Sequence, residues 1–255
     1  IVELLSQTNS ILDDMLWMEG NLPTGHQITQ RTGLPNVFWR LINQGVAPSK
    51  STTAQVTEQT GMLEAWSEVD KDEAELNGNV NAYRLSEGMA FLEAMNQEMA
   101  GTLFYGDASA PEEFVGFSNR YSDTTAGNGQ NIILGGGSGA DNCSIWLTGW
   151  GQNSVCGIFP KASMAGITHE DLGLVTVETT AGLAGNRMRA YQDHWQWKAG
   201  LALKDWRYVV RIPNIDVSDL LALTGSQAVG AITFITKLMS RAIDRMPTLN
   251  GIRPV

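Results

Sequence analysis

The stretch from Asn79 to Tyr105, NVNAYRLSEGMAFLEAMNQEMAGTLFY, is the longest uninterrupted helical pattern in the chain. Its apolar residues fall at Ala82, Leu85, Met89, Leu92, Met95, Met99 and Leu103, close to the spacing of one helix face. Arg84, Glu87, Glu93, Gln97 and Glu98 occupy the other face. Asn79 or Asn81 supplies a start signal, and Gly106 a stop. At 1.5 Å per residue such a helix is about 40 Å long, enough to cross a small domain. The rest of the chain must arrange itself around this rod: an arm and a flap before it, a body after it.

The flap is the second constraint. Residues 25–72 read as an extended ribbon, with strands expected near 37–43 and 53–60 and turns at Gly33-Leu34-Pro35 and Gly45–Ser51. The segment TAQVTEQT (53–60) has little apolar material on either face. A two-stranded ribbon with two polar faces is marginal in water and leaves both edges unpaired. It persists when it lies on a neighbour, so the segment predicts an oligomer. Bulk composition agrees: only 17% of residues are charged while 43% are hydrophobic, so part of the surface is expected to be buried against something else.

Before the ribbon, residues 1–24 hold two short apolar pieces, Val2–Leu5 and Ile11–Met18, too small for a core and read as an arm. The acidic run Glu68–Glu75 leads into the long helix and suits its dipole. Strands are expected at 131–134, 144–150, 154–159, 172–178, 188–199 and 206–212. In the fifth of these, Tyr191, Asp193, Trp195 and Trp197 alternate with Ala190, Gln192, His194 and Gln196. A short helix through Leu223 precedes a second long one at 227–246, with Val229, Ile232, Ile235, Leu238, Ala242 and Met246 as its stripe. The order arm, ribbon, helix, strands, helix describes an α+β chain.

Chemistry is harder to find. The net charge of −10 argues against a protein that grips phosphate backbones. No apolar run reaches the roughly 18 residues of a membrane span, so no membrane partner is expected. The glycine-rich stretch NIILGGGSGADN leads into strand-like residues and lacks the Gly-Lys-Ser/Thr of a phosphate loop, so a glycine-rich hairpin turn is expected. His26, His169 and His194 form no ligand pair; His169-Glu170-Asp171 reads as a turn or helix start, and His194 as structural. Cys143 and Cys156 read as reduced, buried thiols. The basic residues Arg187, Arg189, Lys198, Lys204, Arg207 and Arg211 interleave with Asp193, Asp205 and Asp216 as a charge ladder. No catalytic constellation stands out, and no cofactor or metal is expected. The abrupt ends suggest a chain lacking residues at both termini.

Three stretches carry a family resemblance: GNLPTGHQITQRTGLPNVFWRLINQG (20–45), VNAYRLSEGMAFLEAMNQEMAGTLFYGD (80–107) and GNRMRAYQDHWQWKAGLALKDWRYVVRI (185–212). They resemble the major capsid proteins of short-tailed phages of the epsilon 15 kind and their Bordetella relatives, which have the Hong Kong 97 fold. That resemblance implies an N-terminal arm at 1–24 and an extended loop at 25–72 with Lys50 near its tip. It implies a peripheral domain from 73–126 and 172–216, with the spine helix at 80–105, and an axial domain from 127–171 and 217–255. The implied function is self-assembly into an icosahedral shell around double-stranded DNA, as hexamers and pentamers, with scaffold, portal and decoration partners. The implied location is the virion, with assembly in the host bacterial cytoplasm. Phe38, Trp39, Arg40, Lys50 and Trp66 are the expected assembly contacts, and no covalent cross-link at Lys50 is expected. The rival expectations are an encapsulin-like nanocompartment and an oligomeric enzyme using the glycine loop 135–139.

Overall fold

A computed structural model describes residues 9–76, 78–178, 186–221 and 226–247. In chain order these form α1 (Ile11–Asp14), β1 (Trp17–Glu19), β2 (Gly25–Gly33), β3 (Thr52–Asp70), α2 (Lys71–Leu76), α3 (Val80–Tyr105) and α4 (Phe117–Arg120). Then follow β4 (Asn142–Thr148), β5 (Val155–Phe159), β6 (Ile167–Glu178), β7 (Arg187–Leu203), β8 (Val209–Asp216), α5 (Val217–Leu221) and α6 (Ser226–Arg245). The mixture is α+β, as the sequence predicts. The chain divides into two compact units. One gathers the described parts of Ile1–Glu19, Thr60–Arg120 and Gly157–Leu201. The other gathers those of Gly20–Gln59, Tyr121–Cys156 and Ala202–Val255.

In the first unit, β7 is flanked by two antiparallel partners. The second half of β3 pairs along it from Thr60↔Gly200 to Asp70↔Ala190, and β6 from Ile167↔Trp197 to Glu178↔Arg187. The alternation in β7 is real: Asp193, Trp195, Trp197 and Ala199 are buried. The helix α3 packs on that face. Asn79 caps it, its side-chain oxygen accepting from the Ala82 N–H at 3.1 Å. Gly106 ends it at φ −48°, so its role is not left-handed backbone but close approach: a Cβ there would collide with the Phe114 carbonyl. Phe104 meets the fully buried Phe117 of α4 at 6.0 Å between ring centroids.

The face that α3 buries differs from the expected one in its first half. Met95, Met99 and Leu103 are buried as predicted, but Leu85 and Met89 are 68% and 50% exposed. Arg84, Gly88 and Phe91 point inward in their place. The reason lies in β7. The Trp195 indole lies flat against Phe91, 5.6 Å between centroids, and a Cβ on Gly88 would come within 3.1 Å of it. The broad ring takes the space beside the one residue with no side chain.

At the edge of this unit, β1 runs parallel to β5, Trp17 opposite Gly157. The indole needs that glycine, since a Cβ would stand 2.6 Å from it. Part of the expected arm is therefore an edge strand of its own subunit; residues 1–8, including Val2–Leu5, lie outside the described residues.

In the second unit, β4 and β8 pair antiparallel, and their apolar side meets α6. Leu238, Ala242 and Met246 bury against Val210, Ile212 and Ile215, as the stripe predicts; the side chains of Val229 and Ile232 lie outside the described residues. The same unit holds the ribbon: β2 pairs with the first half of β3 from Gly25↔Gln59 to Gly33↔Thr52. The strands thus lie at 25–33 and 52 onward. Residues 37–43, expected as a strand, belong to an irregular tip. Pro35 removes a ladder donor and Asn43 adopts φ 65°, both hostile to a regular strand there.

Candidate assembly surfaces

The tip, residues 34–51, hangs between Gly33 and Thr52. It is pinned at its base by the Thr32 and Thr52 hydroxyls at 3.2 Å and by Ser49 Oγ donating to the Asn36 carbonyl at 2.8 Å. The ribbon beneath is held by polar cross-strand pairs such as Gln27–Gln55, 3.2 Å apart. Leu34, Val37, Phe38, Trp39, Leu41 and Ile42 are all exposed, and Trp39 is fully so. Arg40 and Lys50 are exposed beside them. Residues 31–50 carry Arg31, Arg40 and Lys50 and no acidic residue, in a chain of net charge −10. Four of the five expected contact residues, Phe38, Trp39, Arg40 and Lys50, are therefore gathered on one segment.

Trp66 is not among them. It sits in the other half of β3, opposite His194 in register, with its ring stacked on that imidazole at 4.1 Å. It is 49% exposed, so one face is already covered from within the subunit.

A second surface lies in the first unit, between α3 and β6. The inward-turned Arg84 donates to Asp193 Oδ1 at 2.8 Å and to Asp171 Oδ1 at 2.6 Å. His169 Nε2 lies 3.0 Å from the same Asp193 oxygen, and the His169 ring stacks on Trp195 at 5.0 Å. The Arg84 hydrogen bond holds the Asp171 carboxyl below its usual range, with the Gly173 N–H adding to the effect. A β-bulge aims Asp171: Asp171 faces Asp193 and Gly173 faces Gln192, leaving Leu172 extra, with Gly173 at φ +69°. His169-Glu170-Asp171 is therefore strand, not turn. Sequence reasoning placed Arg84 on the solvent face; the signal that could have found it is Asp193, a carboxylate on the tryptophan face of β7 that needs a cation. Above this cluster runs a groove of about 450 Å³, walled by Leu85, Met89, Leu92 and Ile167.

The glycine-rich loop uses its own backbone. Gly135 N–H donates to the Pro213 carbonyl at 2.8 Å and Gly137 N–H to that of Asn214 at 2.7 Å. The preceding Ile132 bridges Arg211 in parallel. Residues 132–137 thus flank β8 on the side away from β4, rather than forming a hairpin turn with it. A Cβ at Gly135 or Gly137 would press on the Asn214 carbonyl at 2.7 or 2.8 Å, which accounts for the glycines. A phosphate cradle needs free N–H groups, and these two are taken.

The other expected residues are scattered. Arg207 pairs with Asp205 at 2.7 Å, Arg211 stacks over Trp146, and Lys204 donates to the Gln152 carbonyl. These three make contacts within the subunit. Cys156 is buried, where desolvation raises its thiol pKa; Cys143 is exposed, contrary to expectation, and neither forms a disulfide.

Comparison with known proteins fits this picture. The family model described as "Major capsid protein GP7" matches residues 1–255. The solved capsid chain of bacteriophage Epsilon15 is 32% identical, with a TM-score of 0.75, covering 98% of this chain and 73% of that one. No curated protein matches the chain significantly. The capsid of the native GTA particle (8% identity, TM-score 0.57, 84% of this chain and 92% of that) shares the fold. So does the holo-SrpI encapsulin of Synechococcus elongatus (10% identity, TM-score 0.57, 86% and 93%). At such identities the likeness speaks for the Hong Kong 97-type fold alone. Family and fold imply a structural, non-enzymatic role. Matched by the family model from end to end, and nearly a third identical to the Epsilon15 capsid chain, this chain belongs to the major capsid protein GP7 family and is a shell protein of a tailed-phage capsid.

Proposed function

We propose that copies of this chain close an icosahedral shell around double-stranded DNA through tip segments that each dock on a neighbouring copy, in hexamers and pentamers held without covalent cross-links. The observation that carries this reading is the tip itself: seven large apolar side chains on one irregular segment, all exposed. Monomeric proteins seldom keep such a patch in water. Aromatic residues dominate contact energies, so Trp39 and Phe38 are the anchors, with Arg40 and Lys50 at the rim. Trp66 contributes through its uncovered face. Repetition by symmetry makes modest contacts sufficient, because each subunit is held by several neighbours at once.

In this reading residues 1–24 are the arm and 25–72 the extended loop. Residues 73–126 and 172–216 form the peripheral part, and 127–171 with 217–255 the axial part. Scaffold, portal and decoration proteins complete the particle in the host cytoplasm. The acidic charge suits a container that must not bind its genome tightly.

The test is electron microscopy with mass photometry on the full-length protein, co-expressed with its neighbouring reading frames. Uniform shells of many megadaltons are expected from the wild type, and Trp39→Ala should give free subunits. A stable monomer or dimer from the wild type would overturn the reading. A ladder of covalent multimers on a denaturing gel would overturn its non-covalent part. An enzyme cargo in place of DNA would favour the nanocompartment.

A further inference from the structure

We infer that the groove between the first half of α3 and β6 is the seat for Trp39 of a second copy of this chain. The inference rests on the reading above that the tip docks on a neighbour, and adds where it lands. Three observations converge on the groove.

The first is the displaced stripe. Leu85, Met89 and Leu92 sit at helical spacing and are more than a third exposed, although the pattern is that of a buried face. The buried face is instead one position away, where Gly88 admits Trp195. The helix therefore carries two adjoining apolar tracks over its first half. One is covered by its own sheet, and the other has no cover within the described residues of its unit. Ile167 on β6 faces the uncovered track and closes the groove on its far side.

The second is rigidity. The floor is tied by Arg84 to both Asp193 and Asp171, and by the stack of His169, Trp195 and Phe91. A seat preorganised in this way spares the ordering cost that weakens flexible contacts.

The third is charge. Asp171 stands at the groove with its side chain about half exposed, and Glu170 beside it is exposed too. The tip is the only stretch of comparable apolar exposure among the described residues, and it carries Arg40 and Lys50, with Arg31 just before it on β2, and no acid. An indole in the apolar part of the groove would bring the adjacent Arg40 toward Asp171. Such a rim pair sets orientation more than affinity.

The experiment replaces Trp39 with the photoreactive p-benzoylphenylalanine, forms shells, irradiates them and maps the adducts by mass spectrometry. Adducts are expected at dimer mass, on peptides holding Leu85–Leu92 or Ile167–Asp171. Inter-copy adducts on other peptides, such as those of the groove bearing Met62 and Phe114, would overturn this assignment and leave tip docking intact. Adducts on a co-purified decoration or scaffold protein, or none in well-formed shells, would overturn both. Met89→Arg is the second test, independent of whether the photoreactive chain assembles. Met89 is half exposed, so the unassembled chain should melt as the wild type does while shell yield falls at least about tenfold, the factor that 1.4 kcal/mol represents. Normal shell yield from Met89→Arg would overturn the inference.

Discussion

The two halves of β3 behave as if they came from different proteins. From Thr52 to Gln59 the strand has one partner, β2, and only Glu58 is buried. From Thr60 to Asp70 it lies in a sheet against β7, its Ser67 and Val69 buried and its Trp66 stacked on His194. Backbone hydrogen bonding is continuous through both, so hydrogen bonding is not what distinguishes them. The difference is what covers the side chains. The second half finds its cover within the subunit. The first half carries a tip of aromatics that stay exposed among the described residues. On the proposed reading, such a strand is finished by its own fold at one end and by assembly at the other.

The sharpest way to break this comparison is to excise the tip. Joining Gly33 to Thr52 through a two-residue Asn-Gly turn should abolish shells while leaving the melting temperature of the free subunit unchanged, read by mass photometry and calorimetry. A large fall in subunit stability would mean that the tip belongs to the fold after all. The sheet side should respond in the opposite sense. Asp193→Ala leaves Arg84 without its buried partner and should cost about 3–5 kcal/mol of subunit stability in denaturant titration. Trp66→Ala removes a half-exposed stack and should cost about 0.5–1.5 kcal/mol, with shells that form but melt lower. Shells of unchanged thermal stability would remove Trp66 from the contacts.

The smallest effect is acid sensitivity. Because Arg84 depresses the Asp171 carboxyl in the folded state, the stability it adds is full above the ordinary carboxylate range. That contribution is lost as pH falls through the depressed value. Asp171→Asn should lower the neutral plateau slightly and so flatten this acid limb in a melting series from neutral to acid pH, leaving stability at the acid end little changed.

Much of this was legible in residue order. The capped helix, the alternation of β7 and the final helix are strong periodic signals, and periodicity fixes element type well. The thin cover of the ribbon could be read from TAQVTEQT, because two polar faces cannot build a core, and only Glu58 is buried there. The failures have specific causes. Residues 37–43 look like a strand by composition, yet Pro35 and the positive φ of Asn43 leave Val37, Phe38 and Trp39 irregular and exposed. The exchange of Leu85 and Met89 for Arg84 and Gly88 depends on where the Trp195 ring lies, which is a fact of three-dimensional packing. His169 and Asp171 read as a turn or helix start because charged residues cluster there; a bulge on an edge strand serves the same composition. The glycine loop was read from what usually surrounds glycine, whereas here its spacing answers to the Asn214 carbonyl.

The continuity of β3 also bears on mechanics. With the tip docked as proposed, any load on the shell would pass through it into its own strand. A pull along β3 loads the ladder from Thr60 to Asp70 in shear, so its hydrogen bonds share the force in parallel rather than parting one by one. On that reading the tip would act as a tether spliced into the subunit's sheet, its mooring strengthening with the length of strand beyond it.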